Sequence, residues 1–258
     1  MVTSILLVGC GKMGGALLHG WIKNDALVIS TFDPHYADAD YHSAADITAT
    51  YDVIVLAVKP QIMADVARDL KHLVKPATLI LSIAAGKTIG FYEDIFGAAT
   101  SIVRVMPNTP ALIGKGMSVL CGNAATSAPQ RHLSMNLMAV AGDAEWIDTE
   151  YLMDAVTAVS GSGPAYVFHL VEAMTAAGIA AGLPPALSEK LSRQTVIGSA
   201  ALAESDGATP AATFRQNVTS PGGTTEAALK ILMSENGLTD LMTRAIQAAQ
   251  KRGKELAS

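Results

Sequence analysis

Residues 5–14 decide the fold, and they read Ile5-Leu-Leu-Val-Gly-Cys-Gly-Lys-Met-Gly14. Apolar residues followed by Gly-x-Gly-x-x-Gly are typical of a buried strand that turns into a helix at a dinucleotide-binding loop. The glycines permit a tight turn, close approach of a pyrophosphate and close helix packing, and the helix start offers free N–H groups to the pyrophosphate. The alternative is a glycine-rich turn without a ligand. The residues predicted to bind a dinucleotide here are Gly9, Gly11, Lys12, Met13 and Gly14.

The rest of the first half repeats this alternation of apolar runs and helical patterns. The run Val53–Val58 is uniformly apolar, which is typical of a strand buried on both faces of a parallel sheet. We therefore predict an α/β domain with a doubly wound, Rossmann-like parallel sheet over residues 1–150. The predicted strands are 5–8, 28–32, 53–58, 78–83, 102–106, 117–121 and 144–147, and the predicted helices are 13–23, 62–73 and about 129–140.

The second half, residues 151–258, has no run of alternating apolar and polar residues and is rich in alanine. We predict an all-α second domain with helices at 151–159, 165–181, 185–204, 224–234 and 238–256. The stretch Ser160–Pro164 is expected to interrupt the helical pattern, with Ser162 or Gly163 capping the helix that follows.

Composition excludes several classes of protein. Apolar residues make up 50% of the chain and charged residues 16%, which excludes a disordered chain. There are 18 Lys and Arg against 23 Asp and Glu, a net charge of −5, and no basic block, so neither nucleic acid nor a membrane is an expected partner. We find no secretory signal, and the two cysteines do not suggest a disulfide framework, so a cytoplasmic protein is expected.

Two further stretches lie where predicted strands end, at the edge where doubly wound sheets bind their ligands. The first is Ala57-Val58-Lys59-Pro60, in which Lys59 either contacts the cofactor or is a solvated lysine beside a turn. The second is Met106-Pro107-Asn108, which opens a loop that prolines make rigid. Asn108 either donates or accepts a hydrogen bond with a carboxamide, or it satisfies the turn.

Asp33 ends the second predicted strand, 19 residues after Gly14. An acidic residue at this place accepts a hydrogen bond from the ribose 2′-OH and repels a 2′-phosphate. No Lys or Arg occurs between Asp33 and His42, so the sequence favours NADH over NADPH, although His35 or His42 could serve a phosphate. The alternative is that Asp33 only opens a turn with Pro34.

A candidate substrate site is the stretch Val218-Thr-Ser-Pro-Gly-Gly-Thr-Thr225, which precedes a predicted helix. Small residues at a helix N-terminus expose backbone N–H groups that can bind a carboxylate, and hydroxyl groups add further donors. The alternative is an ordinary helix start with Ser and Thr caps. The residues concerned are Ser220, Gly222, Gly223, Thr224 and Thr225.

The sequence lacks the residues that several kinds of chemistry require. No His, Cys or carboxylate spacing suits a metal, so no metal is predicted. Neither Ser160–Val167 nor Val218–Thr225 contains a Lys, a His or a carboxylate. An enzyme that oxidises an alcohol usually needs a general base, whereas a reductase of a protonated iminium receives an activated electrophile. The sequence therefore favours reduction of an imine.

The chain resembles the pyrroline-5-carboxylate reductase family over nearly its whole length. The resemblance is carried, in the family's order, by Gly9–Gly14, Ala57–Pro60, Met106–Pro110, Ser160–Tyr166 and Val218–Leu229. It implies NAD(P)H-dependent reduction of the C=N bond of 1-pyrroline-5-carboxylate to L-proline, the last step of proline biosynthesis. Asp33 departs from the small polar and basic residues, suited to NADPH, that many members carry there.

The resemblance also implies a site and an assembly. The helical domain would bind substrate and interlock with a second subunit, so the minimum unit is a homodimer. The substrate carboxylate would lie on the Ser220–Thr225 turn at the dimer interface, and Thr225 would be the catalytic residue, with its hydroxyl facing the ring nitrogen. Met106–Asn108 would hold the nicotinamide, and hydride would reach the imine carbon, which becomes ring C5 of proline.

Three other functions stay open. A hydroxyacid dehydrogenase of similar build would carry a catalytic lysine on the long helix after the interdomain region, and Ser160–Val171 contains none. A reductase of a different imine would use the same residues. A non-catalytic nucleotide-binding protein would leave the Thr225 turn without a use.

Overall fold

The computed structural model of the chain describes residues 2–257. The strands are β1 Thr3–Val8, β2 Leu27–Phe32, β3 Val53–Leu56, β4 Leu79–Ser82, β5 Ser101–Met106, β6 Gly116–Gly122 and β7 Gly142–Trp146. The α-helices are α1 Lys12–Trp21, α2 Met63–Asp69, α3 Ile89–Phe96, α4 Ala128–Ala139, α5 Met153–Val156, α6 Gly163–Ala180, α7 Pro185–Ser205, α8 Ala211–Asn217, α9 Thr224–Leu232 and α10 Leu238–Ala257. The chain divides into two compact units, one of Met1–Ser162 with Ala249–Ser258 and one of Gly163–Ala248.

The N-terminal unit is built on a seven-stranded sheet in the order β2-β1-β3-β4-β5-β6-β7. The strands from β2 to β5 pair in parallel, which confirms the predicted Rossmann-like fold. β6 differs, because it runs antiparallel to β5, and β7 is parallel to β6. Only residues 107–115 separate β5 from β6. A parallel connection needs a crossover of about a dozen residues or more, so this short connection favours the antiparallel pair.

Both faces of this sheet are covered by apolar packing. Along β3, Ile54 and Leu56 belong to one core cluster and Val53 and Val55 to the other, and all four are 0% exposed. This explains the uniformly apolar run, because a strand buried on both faces has no polar side. Trp21 of α1 is also fully buried, and its Nε1 donates to the carbonyl oxygen of Leu137 at 2.7 Å.

The helices α3 and α8 are missing from the sequence prediction. They have eight and seven residues, too few turns for their apolar periodicity to stand out. The start of α3 is nevertheless marked by a side-chain cap, since Thr88 Oγ1 accepts from the N–H of Phe91 at 3.2 Å. The prediction of helices is otherwise accurate to a few residues at each end.

The α-helical pattern is interrupted as predicted, but by a π-helical segment, Thr157–Gly161, and a bend at Ser162 instead of a loop. The N–H of Ser162 donates to the carbonyl oxygen of Thr157 at 2.8 Å. Ser162 has helical dihedral angles, φ −85° and ψ −20°, and Gly163 lies inside α6, so neither caps the helix. Pro164 falls in the first turn of α6, where its missing N–H has no intrahelical role.

The helical unit holds together through small residues. Ser188 of α7 donates its hydroxyl to the carbonyl oxygen of Thr175 in α6 at 2.7 Å. A Cβ on Gly178 would clash with the Ser188 hydroxyl, so the two helices approach closely where these residues meet. No helix within residues 2–257 is long and apolar enough to cross a membrane.

Candidate functional site

The Gly9–Gly14 turn joins β1 to α1, and its three glycines lie in different surroundings. Gly9 has φ +98°, and a Cβ there would lie 2.9 Å from the carbonyl carbon of Ala57. A Cβ on Gly14 would clash with the carbonyl oxygen of Gly9, which leaves no room for any side chain. Gly11 faces open space, with no atom within 4 Å of a Cβ built on it. The turn is therefore packed against the sheet on one side and open to a ligand at Gly11.

The start of α1 is ready for an anion. The helix begins at Lys12, its N-cap Gly11 provides no side-chain cap, and its first turn contains no acidic residue. The first N–H groups of a helix have no intrahelical partner, and the helix dipole favours negative charge at this end. Met13 is half-buried and packs against the core, whereas Lys12 is exposed. These residues fit a dinucleotide pyrophosphate.

Asp33 lies directly after β2 and is tied to the glycine turn. Its Oδ2 accepts from the N–H of Cys10 and its Oδ1 from the N–H of His35, both at 2.8 Å. Burial raises the pKa of Asp33, but backbone hydrogen bonds and the charge of nearby His35 outweigh it, so this pKa lies below its ordinary value. The imidazole of His42 lies 3.1 Å from the Asp33 carbonyl oxygen. A carboxylate that is charged at neutral pH therefore stands beside the turn.

The ends of β3 and β4 reach the same edge of the sheet. Ala57 and Val58 pack against Gly9, and Lys59 is exposed, with its carbonyl oxygen accepting from the N–H of Ile62. Pro60 leads toward α2. The turn after β4, residues 83–86, was not singled out from the sequence. Its signal is the run of small residues that ends at Gly86, which has φ +75°.

Asn108 makes its side-chain hydrogen bonds within the protein. Its Nδ2 lies 3.3 Å from the carbonyl oxygen and 3.2 Å from the hydroxyl oxygen of Ser160, and its Oδ1 accepts from the N–H of Met117 at 2.9 Å. A Cβ on Gly161 would clash with the methyl group of Met106, so this glycine also makes room for the loop. Pro107 between them is buried. The structure thus brings together the Met106–Asn108 and Ser160–Gly161 stretches, and the Asn108 amide secures that contact.

A buried polar network lies beneath this edge, and sequence reasoning missed it. Arg104 of β5 is 4% exposed, and its Nη1 lies 2.8 Å from Glu150 Oε1. The same carboxylate oxygen accepts from the N–H of Ile89 at the start of α3 at 2.8 Å. Ser82 and Tyr92 share a hydrogen bond of 2.5 Å, and burial raises the Tyr92 pKa to about 12. An arginine inside an apolar strand is the only sequence signal that could have indicated this network.

The Ser220–Thr225 turn lies in the helical unit and leads into α9, which begins at Thr224. Gly222 has φ +72°, and Gly223 is the N-cap without a side-chain cap. The N–H of Gly223 donates to the carbonyl oxygen of Ser220 at 3.0 Å, which closes the turn. The N–H groups of the first turn of α9 are left for another acceptor. Thr225 is half-buried, whereas Ser220 and Thr224 are exposed.

One carboxylate of the chain already contacts this turn. Glu226 Oε2 accepts from the N–H of Gly222 at 2.5 Å, and Glu226 Oε1 lies 3.5 Å from Lys230 Nζ. The turn therefore binds an internal carboxylate at Gly222, which demonstrates the donor chemistry expected from the glycines. The residues predicted to bind the cofactor lie together at one edge of the sheet, and those predicted to bind the substrate lie together at one helix start.

Metal and thiol chemistry have little support. Among residues 2–257 there is no group of three His, Cys, Asp or Glu side chains that could hold a metal ion. Burial, followed by the charges of Asp33 and Asp40, raises the pKa of the Cys10 thiol to about 11. Cys10 is therefore a protonated thiol near neutral pH and a weak nucleophile.

Two family models match the chain, one in its N-terminal half and one in its C-terminal half. The family model described as pyrroline-5-carboxylate reductase dimerisation matches residues 150–256. The model described as NADP oxidoreductase coenzyme F420-dependent matches residues 4–86, which include the glycine turn, Asp33 and the end of β3.

Curated relatives are similar over their whole length. A pyrroline-5-carboxylate reductase of Pseudomonas aeruginosa is 42% identical, with the alignment covering 98% of this chain and 96% of that protein. The pyrroline-5-carboxylate reductase of Escherichia coli is 33% identical, covering 98% of this chain and 100% of that protein.

Solved structures extend the similarity to three dimensions. A pyrroline-5-carboxylate reductase of Coxiella burnetii superimposes with a TM-score of 0.90 at 34% identity, covering 100% of both chains. A pyrroline carboxylate reductase of Plasmodium falciparum, determined with NADP bound, gives a TM-score of 0.83 at 32% identity, covering 99% of this chain and 98% of that one.

Proposed function

The chain belongs to the pyrroline-5-carboxylate reductase family, and we propose that it reduces 1-pyrroline-5-carboxylate to L-proline in the last step of proline biosynthesis. It is an oxidoreductase that uses NADH or NADPH and acts on a C=N bond. The observation that carries the proposal is the presence in one chain of an open dinucleotide turn and a helix-start turn with N–H and hydroxyl donors, at which the one contacting carboxylate, Glu226, is bonded to the Gly222 N–H. The bound nicotinamide supplies the hydride.

The cofactor binds along the sheet edge. The pyrophosphate lies over Gly11, Lys12 and Met13, where the turn is open and the helix N–H groups are uncapped. The adenosine ribose lies toward Asp33, whose low pKa keeps it charged and favours NADH. The residues at the ends of β3 and β5 complete the site: Ala57, Val58, Lys59, Pro60, Met106, Pro107 and Asn108. Asn108 acts by holding the Met106–Asn108 loop against Ser160.

The substrate binds at the Ser220–Thr225 turn. Its carboxylate accepts hydrogen bonds from N–H groups at the start of α9, close to the Gly222 N–H that Glu226 occupies. The Thr225 hydroxyl faces the ring nitrogen, where it orients the ring. The substrate nitrogen is protonated before the reaction, so hydride addition at the imine carbon, which becomes C5 of proline, gives the secondary amine directly and no side chain has to move a proton. Catalysis is then mainly positioning in a site from which water is excluded.

The helical unit forms the dimer. Residues 163–248 contain no buried apolar side chain, and the family model that covers them describes dimerisation. A groove of about 740 Å³ between α6 and α7 is lined mostly by apolar residues, with Phe168 65% exposed. The C-terminal helices of two copies interlock by filling such grooves, and the Ser220–Thr225 turn of one copy meets the cofactor of the other.

The two domains, which meet near residue 150, have different roles. Residues 1–150 bind the dinucleotide, and residues 151–258 bind the substrate and form the dimer. Such an enzyme works in the cytoplasm on small soluble metabolites.

The proposal is tested by oxidation of NADH and NADPH in the presence of 1-pyrroline-5-carboxylate. We expect turnover with at least one cofactor, and Thr225→Val should lower kcat about tenfold or more because a hydrogen bond to a charged group is lost. Thr225→Ser, which keeps the hydroxyl, should retain most of the activity. Folded protein that binds nucleotide but shows no turnover with this substrate would contradict the proposed reaction.

A further inference from the structure

Residues 150–161, here called the connecting segment, run from the sheet toward α6 and are fixed at both ends to β5 and the loop that follows it. At the start, Glu150 Oε1 accepts a hydrogen bond from Arg104 Nη1 of β5 at 2.8 Å. At the end, Asn108 Nδ2 lies 3.3 Å from the carbonyl oxygen and 3.2 Å from the hydroxyl oxygen of Ser160. One strand and its loop therefore hold both ends of this segment.

The connecting segment is firmly packed between its two ends. Met153 and Ala158 are 0% exposed, and the Thr157 hydroxyl donates to the carbonyl oxygen of Met153 at 2.8 Å. α5 and the π-helical segment follow each other without a break, from residue 153 to residue 161. Because a packed interior transmits displacements instead of absorbing them, a shift of Glu150 should also shift Ser160.

Glu150 is also the junction of three elements. The oxygen that accepts from Arg104 also accepts from the N–H of Ile89, the first residue of α3, at 2.8 Å. Arg104 is 4% exposed and the Glu150 side chain 28% exposed, so the pair is largely shielded from water. Charge-assisted hydrogen bonds are short, and an arginine gives them a defined direction. β5, α3 and the connecting segment thus meet at one carboxylate oxygen.

Stability alone does not explain this ion pair. Burying two charges costs free energy that their attraction has to offset, and replacing such a pair by apolar side chains of similar size is often neutral or stabilising. The neighbours of Arg104 in β5, Val103 and Val105, are buried apolar residues, so an apolar side chain would suit the strand. What the ion pair adds is a contact of fixed direction, which an apolar pair does not provide.

We propose that Glu150 is a positioning residue for the nicotinamide end of the cofactor. Arg104 fixes Glu150, and the connecting segment carries this position to Ser160. Ser160 in turn holds Asn108 and with it the Met106–Asn108 loop. The inference rests on the proposed function, in which this loop completes the cofactor site. Glu150 acts through the connecting segment and not by touching the ligand.

The test compares the binding of NADH with that of ADP-ribose, which lacks the nicotinamide, by calorimetric titration of the full chain. NADPH with 2′-phospho-ADP-ribose replaces this pair if NADPH binds more tightly. Glu150→Ala should weaken NADH about tenfold, the equivalent of one lost hydrogen bond, and leave ADP-ribose unchanged. Glu150→Gln, whose side-chain oxygen can still accept from both donors, should retain most of the NADH affinity. Unchanged NADH affinity in Glu150→Ala, or equal weakening of the two ligands, would overturn the proposal.

A neighbouring ion pair on the surface provides the matched control. Asp148 precedes the connecting segment, and its carboxylate lies 3.6 Å from Arg131, with the Asp148 side chain 85% exposed. An exposed pair of this kind contributes little to structure. Asp148→Asn should therefore change neither the NADH affinity nor the ADP-ribose affinity. Weakening of NADH as large as in Glu150→Ala would overturn the special role of Glu150.

A double variant separates position from stability. Glu150→Ala leaves the Arg104 charge buried and unpaired, whereas Arg104→Met combined with Glu150→Met replaces the pair by apolar side chains and should melt at a higher temperature. NADH should nevertheless bind about tenfold more weakly to the double variant, with ADP-ribose unchanged. Full NADH affinity in this variant would overturn the proposal. None of these titrations involves 1-pyrroline-5-carboxylate, so failure here is distinct from failure of the proposed reaction.

Discussion

The two units of the chain bury their apolar side chains to very different extents. In the N-terminal unit, strands such as β3 and β4 are lined by side chains that are at most 1% exposed. In the helical unit, residues 163–248, the buried residues are Ser188 and Ser192, and large apolar side chains such as Ile231 are up to 73% exposed. The first unit has a complete core of its own, whereas the second displays the apolar surface of a core that needs another chain.

This difference connects stability to activity. Each apolar side chain that is fully buried contributes about 1.5–3 kcal/mol, so the N-terminal unit has what it needs to fold around its own sheet. Apolar patches of the size shown by the helical unit mark interaction surfaces, and the family model over this part describes dimerisation. Because the proposed substrate turn lies in the helical unit, dimer formation and turnover should be lost together.

The largest expected effect comes from replacing an exposed apolar side chain of the helical unit by a charged one, with a matched substitution in the N-terminal unit as the control. Phe168→Asp should separate the dimer and lower turnover at least a hundredfold, because an aromatic anchor is worth about 2–4 kcal/mol and a buried unpaired carboxylate adds to the loss. The matched control is Val28→Asp on β2, where the side chain is 56% exposed. Sedimentation and turnover should be unchanged in the control. Equal effects of the two substitutions would remove the distinction between the units.

A second substitution tests how closely the glycine turn of the N-terminal unit is packed. Gly14→Ala forces a methyl group against the Gly9 carbonyl oxygen and should weaken NADH and NADPH binding about 10–100-fold, since such overpacking costs roughly 1–3 kcal/mol. Gly90→Ala in α3 is the control, because outside the backbone of its own helix the nearest atom to its Cβ would be Thr88 Oγ1, 3.9 Å away. Fluorescence titration measures both. Normal cofactor affinity in Gly14→Ala would show that the turn tolerates a side chain.

The comparison also explains what the sequence could predict. The strands and the glycine turn follow from local patterns, since β3 is apolar at every position and the glycines have fixed spacing. The ends of β2, β3 and β5 meet at one edge because parallel strands share a direction, so Asp33, Lys59 and Asn108 could be grouped without coordinates.

Other features depend on contacts that local patterns do not contain. The antiparallel β6 follows from a short connection whose length matters only once the strands are placed. The π-helical segment before α6 depends on an i→i+5 hydrogen bond from Ser162 to Thr157, which composition does not indicate. The Arg104–Glu150 pair joins residues 46 positions apart, and Asn108 bonds to Ser160 over 52 positions.

A smaller effect is expected at Asp33, which tests the cofactor preference of the N-terminal unit alone. Asp33→Ala should shift the ratio of kcat/KM for NADH to that for NADPH about tenfold toward NADPH, because a hydrogen bond to a charged group and a like-charge repulsion are both removed. Asp38→Ala, at an exposed position nearby, should leave the ratio unchanged. The dimer should persist in both. An unchanged ratio in Asp33→Ala would contradict the role of Asp33 in favouring NADH.

The last and smallest expected effect is the pH dependence of alkylation of the Cys10 thiol. Burial, with the charges of Asp33 and Asp40, raises its thiol pKa to about 11, so the thiolate is scarce at neutral pH and grows only as the pH rises toward that value. Alkylation by iodoacetamide should therefore be slow at neutral pH and accelerate in alkaline solution. Mass spectrometry of the intact chain measures this. Rapid modification of Cys10 at neutral pH would show that the turn opens more than the structure indicates.

The most direct test of the central claim mixes two inactive chains. One chain carries Gly14→Ala and the other Thr225→Val, and each homodimer should show little turnover. If the turn of one copy serves the cofactor of the other, a mixed dimer has one intact site, and random mixing should restore roughly a quarter of normal activity. Recovery at that level is the result expected for a helical unit that completes its site in a second chain. No recovery, with mixed dimers shown to form, would contradict it.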